Sequence, residues 1–181
     1  MYGLVNKAVQ DLIVKNYGVS VWEEIKKKVA FKDEEFEVMK PYEDALTYKI
    51  LTAACEIVNT DINSMLRSLG RFWILFTAYE GYGDMMDLFG KDFNTCLKNL
   101  NSMHARMGAS FSELKPPRFI VKNINDTDIY LEYHSSRKGL GPMVYGLLEG
   151  LAEKFKTKVS INQKERELGK DFDVFIISKA I

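Results

Sequence analysis

The chain has 181 residues, 46% of them hydrophobic and 12% aromatic, enough apolar material to bury one sizeable core and to wrap a cofactor. Its 25 Lys and Arg balance 25 Asp and Glu, so no strongly basic face is advertised and nucleic acid is not an expected partner. No apolar run approaches the roughly 20 residues of a bilayer-crossing helix, and the start MYGLVNKAVQDLIVKNYG does not read as a signal peptide; the expectation is a single soluble, cytoplasmic domain over residues 1–181.

The first two thirds read as helix. Leu4, Val5, Ala8, Val9, Leu12 and Ile13 form one apolar stripe that ends near Gly18, and Val21, Trp22 and Ile25 begin a shorter one. After the charged stretch Phe31 to Pro41, the periodicity predicts a helix from about Tyr42 to Val58. A second runs from Asp61 to Tyr79 with Met65, Leu66, Leu69, Trp73 and Phe76 inward. Gly81 to Gly83 break it, a short helix covers Asp84 to Phe89, and Asp92 caps a helix that reaches His104 and Met107 before Gly108. Cys55 and Cys96 fall inside these apolar patterns without CxxC-type spacing, which predicts buried, reduced thiols rather than a disulfide or zinc site.

Pro116 and Pro117 close the helical region, since neither donates an amide hydrogen and each restricts its predecessor. Phe119 to Asn123 and Ile129 to Arg137 then read as strands joined by the turn-rich Asn125, Asp126, Thr127 and Asp128. A helix from Pro142 to Phe155 interrupts the sheet. Val159 to Gln163 and Phe172 to Ser178 supply two further strands, with Leu168 to Lys170 near their turn. The layout is α+β: an N-terminal helical part, then a small antiparallel sheet with an inserted helix.

Only two histidines occur, which narrows any chemistry that needs an imidazole. His104 shares a helical stripe with Phe93, Cys96, Leu97, Leu100, Met103 and Met107, where an apolar wall could keep water from a metal; a core histidine bonded to a backbone carbonyl fits the same pattern. On the strand after the prolines, alternation would put Tyr133, Ser135 and Arg137 on one face and His134 and Ser136 on the other. Three donors on one face can grip carboxylates, the guanidinium through paired charge-assisted bonds. A solvated strand face is the alternative.

The histidine, the proline pair and the Tyr-x-Ser-x-Arg strand, in that order, resemble the haem nitric oxide/oxygen binding (H-NOX) domains, relatives of the haem domain in the beta subunit of soluble guanylate cyclase. The likeness covers essentially the whole chain: MYGLVNKA at the start, EGYG at Glu80 to Gly83, MHARMG around His104, KPPRF, YHSSR and GLLEGLAEKF. It implies an H-NOX fold enclosing haem b, with His104 as the axial iron ligand and Tyr133, Ser135 and Arg137 on the propionates. In the family a proline presses on and distorts the porphyrin; Pro117 matches it, and Pro116 is a possible companion.

The resemblance also bears on which gas is bound. Family members that hold oxygen stably carry a distal tyrosine, and aligning GLLEG places Met143 there, whose thioether donates no hydrogen bond. Val5, Trp73 and Leu147 match other distal positions; by pattern alone Trp73, Phe76, Tyr79 and Tyr82 would be core. The expectation is nitric oxide and carbon monoxide binding at ferrous haem without a stable oxygen complex, with the Trp73 indole and the Tyr145 phenol as the groups that could overturn it. Nitric oxide would free His104 and shift the Asp92 to Met107 helix, with output to a separate protein such as a histidine kinase or a cyclic-dinucleotide enzyme. Two rivals remain: an oxygen-binding haem protein or carrier, and a haemless module that takes a carboxylate metabolite through Tyr133, Ser135 and Arg137. The Gly81 to Gly83 stretch lacks a nucleotide-loop ending, and Glu23 to Lys28 reads as a solvated face.

Overall fold

Helices precede strands, as the change of period from 3.6 to 2 near Pro116 requires. The computed structural model describes residues 1–32, 35–77, 90–111, 113–123, 125, 127–164 and 171–179, so the expectations for Glu80 to Phe89, Asp126 and Leu168 to Lys170 lie outside the described residues. Backbone contacts divide the chain into two compact units, Met1–Leu69 and Gly70–Ile181.

In the first unit, α1 (Gly3–Tyr17) and α2 (Val19–Val29) are separated by Gly18, whose φ of 93° an L side chain rarely adopts. Then come α3 (Asp44–Val58) and α4 (Ile62–Phe72), the latter crossing into the second unit. Ala8, Val9, Leu12 and Ile13 of α1 are buried with Trp22 and Ile25 of α2 and Ile50, Leu51 and Ala54 of α3. The stripe expected on α1 is rotated at its start. Leu4 and Val5 are half-buried, while Asn6 is fully buried and accepts a 2.6 Å hydrogen bond from the Thr47 hydroxyl. An apolar stripe does not reveal that position, because a carboxamide with a partner can be buried.

In the second unit α4 ends at Phe72 and the backbone widens into a π-helical turn, Trp73–Thr77; the expected helix end at Tyr79 lies outside the described residues. The extra residue shifts the helical phase there: Phe72 and Ile74 are buried, whereas Trp73 and Phe76 are half-buried rather than fully inward. Asp92 accepts the Thr95 N–H at 2.9 Å and starts α5 (Phe93–Ser110). This helix does not stop before Gly108 but runs through it to Ser110.

Strands β1 (Arg118–Asn123), β2 (Asp128–His134), β3 (Val159–Lys164) and β4 (Phe172–Lys179) form one antiparallel sheet in the order β1-β2-β4-β3, with α6 (Gly141–Lys154) inserted after β2. Phe119, Ile129, Leu131, Tyr133, Phe175 and Ile177 share one face and are buried, as are Val144, Leu148 and Leu151 of α6. Strand β2 ends at His134, three residues short of the expected Arg137. Cys96 is buried and Cys55 half-buried, both free thiols. No helix among the described residues is long and apolar enough to cross a membrane.

Thr47→Val should leave the buried Asn6 carboxamide oxygen without its donor. The expected loss is about 1–3 kcal/mol, read as a lower urea midpoint with an unchanged denaturant slope.

Candidate functional site

His104 lies three turns into α5, half-buried. Its Nδ1 is 2.8 Å from the Leu100 carbonyl oxygen. A carbonyl oxygen can only accept, so Nδ1 carries the proton and the lone pair of the neutral ring sits on Nε2. Burial holds the imidazole below its ordinary pKa of 6.5, against a smaller opposing contribution from the Leu100 bond, so the ring is neutral near pH 7. The carbonyl partner anticipated for a core histidine and the lone pair needed by a metal ligand are therefore compatible. The two readings do not compete.

Phe119 extends the site, and pattern reasoning assigned it only to a strand. Its ring contacts His104 (centroids 5.3 Å apart) on one side and Tyr133 (5.4 Å) on the other. Its backbone N–H donates to the Asn101 side-chain oxygen at 3.3 Å. Asn101 precedes His104 by three residues, so one face of α5 meets one residue of β1 twice. A polar residue three positions before the histidine was the available signal.

Tyr133 is on the inner face of β2, where alternation put it. Ser135 and Arg137 lie beyond the strand end, so alternation does not govern them. A local turn does: the Ser135 hydroxyl accepts the Arg137 N–H at 3.1 Å. The Arg137 guanidinium donates through Nη1 to the Lys115 carbonyl at 3.0 Å, and its five N–H donors give it capacity for a carboxylate as well. His134 is on the other face of the sheet, its Nε2 2.8 Å from the Glu132 carboxylate and its ring stacked on Phe172. That bond, with a lesser contribution from Lys122, holds the Glu132 carboxyl below its ordinary range.

The proline pair bridges α5 and β1. Pro116 and Pro117 are both half-buried, and a Cβ placed on Gly108 would lie 3.1 Å from Pro116 Cγ, so Pro116 occupies the bare side of α5 at that glycine. Of the expected distal positions, Met143 and Leu147 stand one turn apart on α6, half-buried, while their neighbours Val144 and Leu148 are buried. The backbone of α4 comes against them at Gly70, where a Cβ would fall 2.0 Å from the Met143 carbonyl oxygen and 2.8 Å from the Leu147 nitrogen. Trp73, one turn along, opens the π-helical turn. Val5 is half-buried on α1 in the first unit. Tyr145 points elsewhere, its phenol donating to the Ile161 carbonyl of β3 at 3.0 Å.

This donor set suits a haem: one neutral imidazole with its Nδ1–H engaged, a phenol, a hydroxyl and a guanidinium for two carboxylates, and apolar side chains otherwise. Among the described residues no three His, Cys, Asp or Glu side chains gather as a protein-only metal cage, and a porphyrin-borne iron would need none.

Known proteins match along the same residues. The family model described as Haem-NO-binding matches residues 2–163. The chain is 30% identical over 178 residues to soluble guanylate cyclase gcy-37 of Caenorhabditis elegans, covering 93% of this chain and 25% of that protein. It is 26% identical over 162 residues to gcy-31 of the same organism, covering 89% and 23%. The chain thus spans about a quarter of the length of these curated relatives. A crystal structure of an H-NOX protein from S. oneidensis in the Fe(II)NO ligation state superimposes with a TM-score of 0.89 at 25% identity, covering 100% of both chains. An oxygen-binding H-NOX domain related to soluble guanylate cyclases, in its oxygen complex, gives 0.85 at 24% identity over 99% and 95%, a likeness of fold alone.

The lowered His104 pKa has a signed consequence. The unfolded chain takes up this proton at higher pH than the folded chain does, so the stability it contributes is complete above about pH 6.5 and declines as pH falls below it. In urea titrations of the apoprotein, His104→Gln should flatten that acid-side decline relative to the parent. Superimposable pH profiles would refute the neutral, buried assignment.

Proposed function

Since this chain belongs to the Haem-NO-binding (H-NOX) family, we propose that it is a sensor rather than a catalyst, binding haem b within a single domain over residues 1–181. It takes nitric oxide and carbon monoxide and signals to a separate protein. The observation that carries the reading is the His104 ring, neutral and with its Nδ1–H committed to Leu100, which leaves Nε2 as the ligating atom.

When bound, a ferrous haem would supply the iron that binds a diatomic gas, and of the three gases oxygen draws most on a hydrogen-bond donor to stay. His104 holds the metal through Nε2. Tyr133, Ser135 and Arg137 grip the propionates, the guanidinium doing so while it also holds Lys115. Pro117, rigid in φ, would press on the porphyrin. On another side Trp73, Met143 and Leu147 would exclude water. Met143 has no proton to donate, and the Tyr145 phenol is engaged with Ile161, so α6 offers bound oxygen no donor from either.

His104 is where a signal would start: its Nε2 would tie α5 to the metal, and loss of that tie would free the helix and, through Asn101 and Phe119, the start of β1. The receiving protein is a histidine kinase or a cyclic-dinucleotide enzyme.

Reduced, purified protein should be red, form carbonyl and nitrosyl spectra, and give no lasting oxy spectrum in air. A persistent oxy spectrum would make it an oxygen binder, with Trp73 as the donor to mutate first. A protein that stays colourless after haem is supplied would instead be a carboxylate-binding module. His104→Gly supplied with imidazole should keep the pigment while backbone amides of α5 exchange faster than in the parent; equal exchange rates would sink the release scheme.

A further inference from the structure

The two prolines of Lys115-Pro116-Pro117 are not equivalent. Pro116 is seated on α5 at Gly108, where a Cβ would come within 3.1 Å of its Cγ and 3.4 Å of its Cδ. The first distance is tighter than ordinary van der Waals contact and the second is at its limit, so the ring borders the space that a side chain at 108 would claim. Gly108 follows His104 by four residues and shares its side of the helix. A glycine inside a helix costs about 1 kcal/mol relative to alanine, so its presence in the final turns of α5 calls for a structural reason, and the seated ring supplies one. The residue before the pair is held too, since the Lys115 carbonyl accepts from Arg137.

We propose that Gly108 and Pro116 form a seat that ties Pro117 to the helix carrying His104, so that the pressure of Pro117 on the porphyrin and the position of the imidazole change together. This rests on the haem reading above. Gly108 and Pro116 are positioning residues in it: they act by fixing where Pro117 stands relative to α5. A shift of α5 then carries the seat with it, one turn from the ligand. Arg137 steadies the other end of the same three residues, so cofactor carboxylates, wedge and axial ligand are joined through a segment of chain from Lys115 to Phe119.

The test is a double-mutant cycle on the haem-loaded protein, read by the out-of-plane porphyrin bands in resonance Raman spectra and by the ferric/ferrous midpoint potential. Pro116→Ala removes the seated ring, and the out-of-plane bands should lose intensity while haem content and His104 ligation stay as in the parent. Gly108→Ala puts a methyl under the ring and should shift the bands and the potential; alanine is the better helix former, so the helix itself is retained. In the Pro116→Ala background, Gly108→Ala should add nothing further. A Gly108→Ala protein with the parent's spectrum and potential would overturn the seat, as would additive effects of the two changes. If the parent takes up no haem, the haem reading fails, and the seat is judged separately in the apoprotein. There, exchange of the Phe119 amide should speed up in both single variants and no further in the double; parental rates would reject it.

Discussion

The bond from the His104 Nδ1–H to the Leu100 carbonyl is the constraint on which the site depends. A net hydrogen bond is worth only about 0.5–1.5 kcal/mol, but that suffices to choose between two tautomers that are otherwise near in energy. The choice fixes which nitrogen keeps its lone pair and where it points. The partner being a carbonyl of the same helix also matters, because a carboxylate there would push the ring toward greater basicity. The backbone of α5 thus both positions the imidazole and limits its electron donation.

The fold brings the remaining parts to that ring by few contacts, each with an identifiable cause. Asp92 starts α5 at a defined residue, which sets the rotational phase at which His104 emerges. The Asn101 side chain takes an amide on the outer edge of β1, the position a neighbouring strand would otherwise fill, and so aligns helix with sheet. Phe119 and Tyr133 stand directly opposite one another in the β1–β2 pairing, so the contact running from imidazole to phenol is a consequence of strand register.

Much of this was legible in the residues. Each described helix and all four strands lie where hydrophobic period, caps and prolines put them, to within a few residues at most ends. The failures are instructive because each involves a partner that hydrophobic period does not register. Asn6 is buried because Thr47, far along the chain, satisfies it. Gly108 reads as a helix stop, yet stays helical because a proline eight residues later covers it. Ser135 and Arg137 read as strand because they continue an alternation, but the serine hydroxyl captures the arginine amide and turns the chain. The π-helical turn at Trp73 has no signature in composition; it accompanies the backbone-to-backbone meeting of α4 and α6 at Gly70. His104 was visible as a candidate only, since helical patterning cannot distinguish a coordinated ring from a core one.

Among the described residues strand β3 forms an open margin of the sheet, with Ser160, Asn162 and Lys164 exposed in alternation. Such a margin invites templated growth by other chains, because each unfilled carbonyl can accept an amide from a passing strand. The Tyr145 phenol occupies the Ile161 carbonyl near the middle of β3, and Lys158 and Lys164 flank the strand with like charge. A phenol engaged in this way takes one acceptor of that margin out of reach of a second chain, which favours colloidal stability.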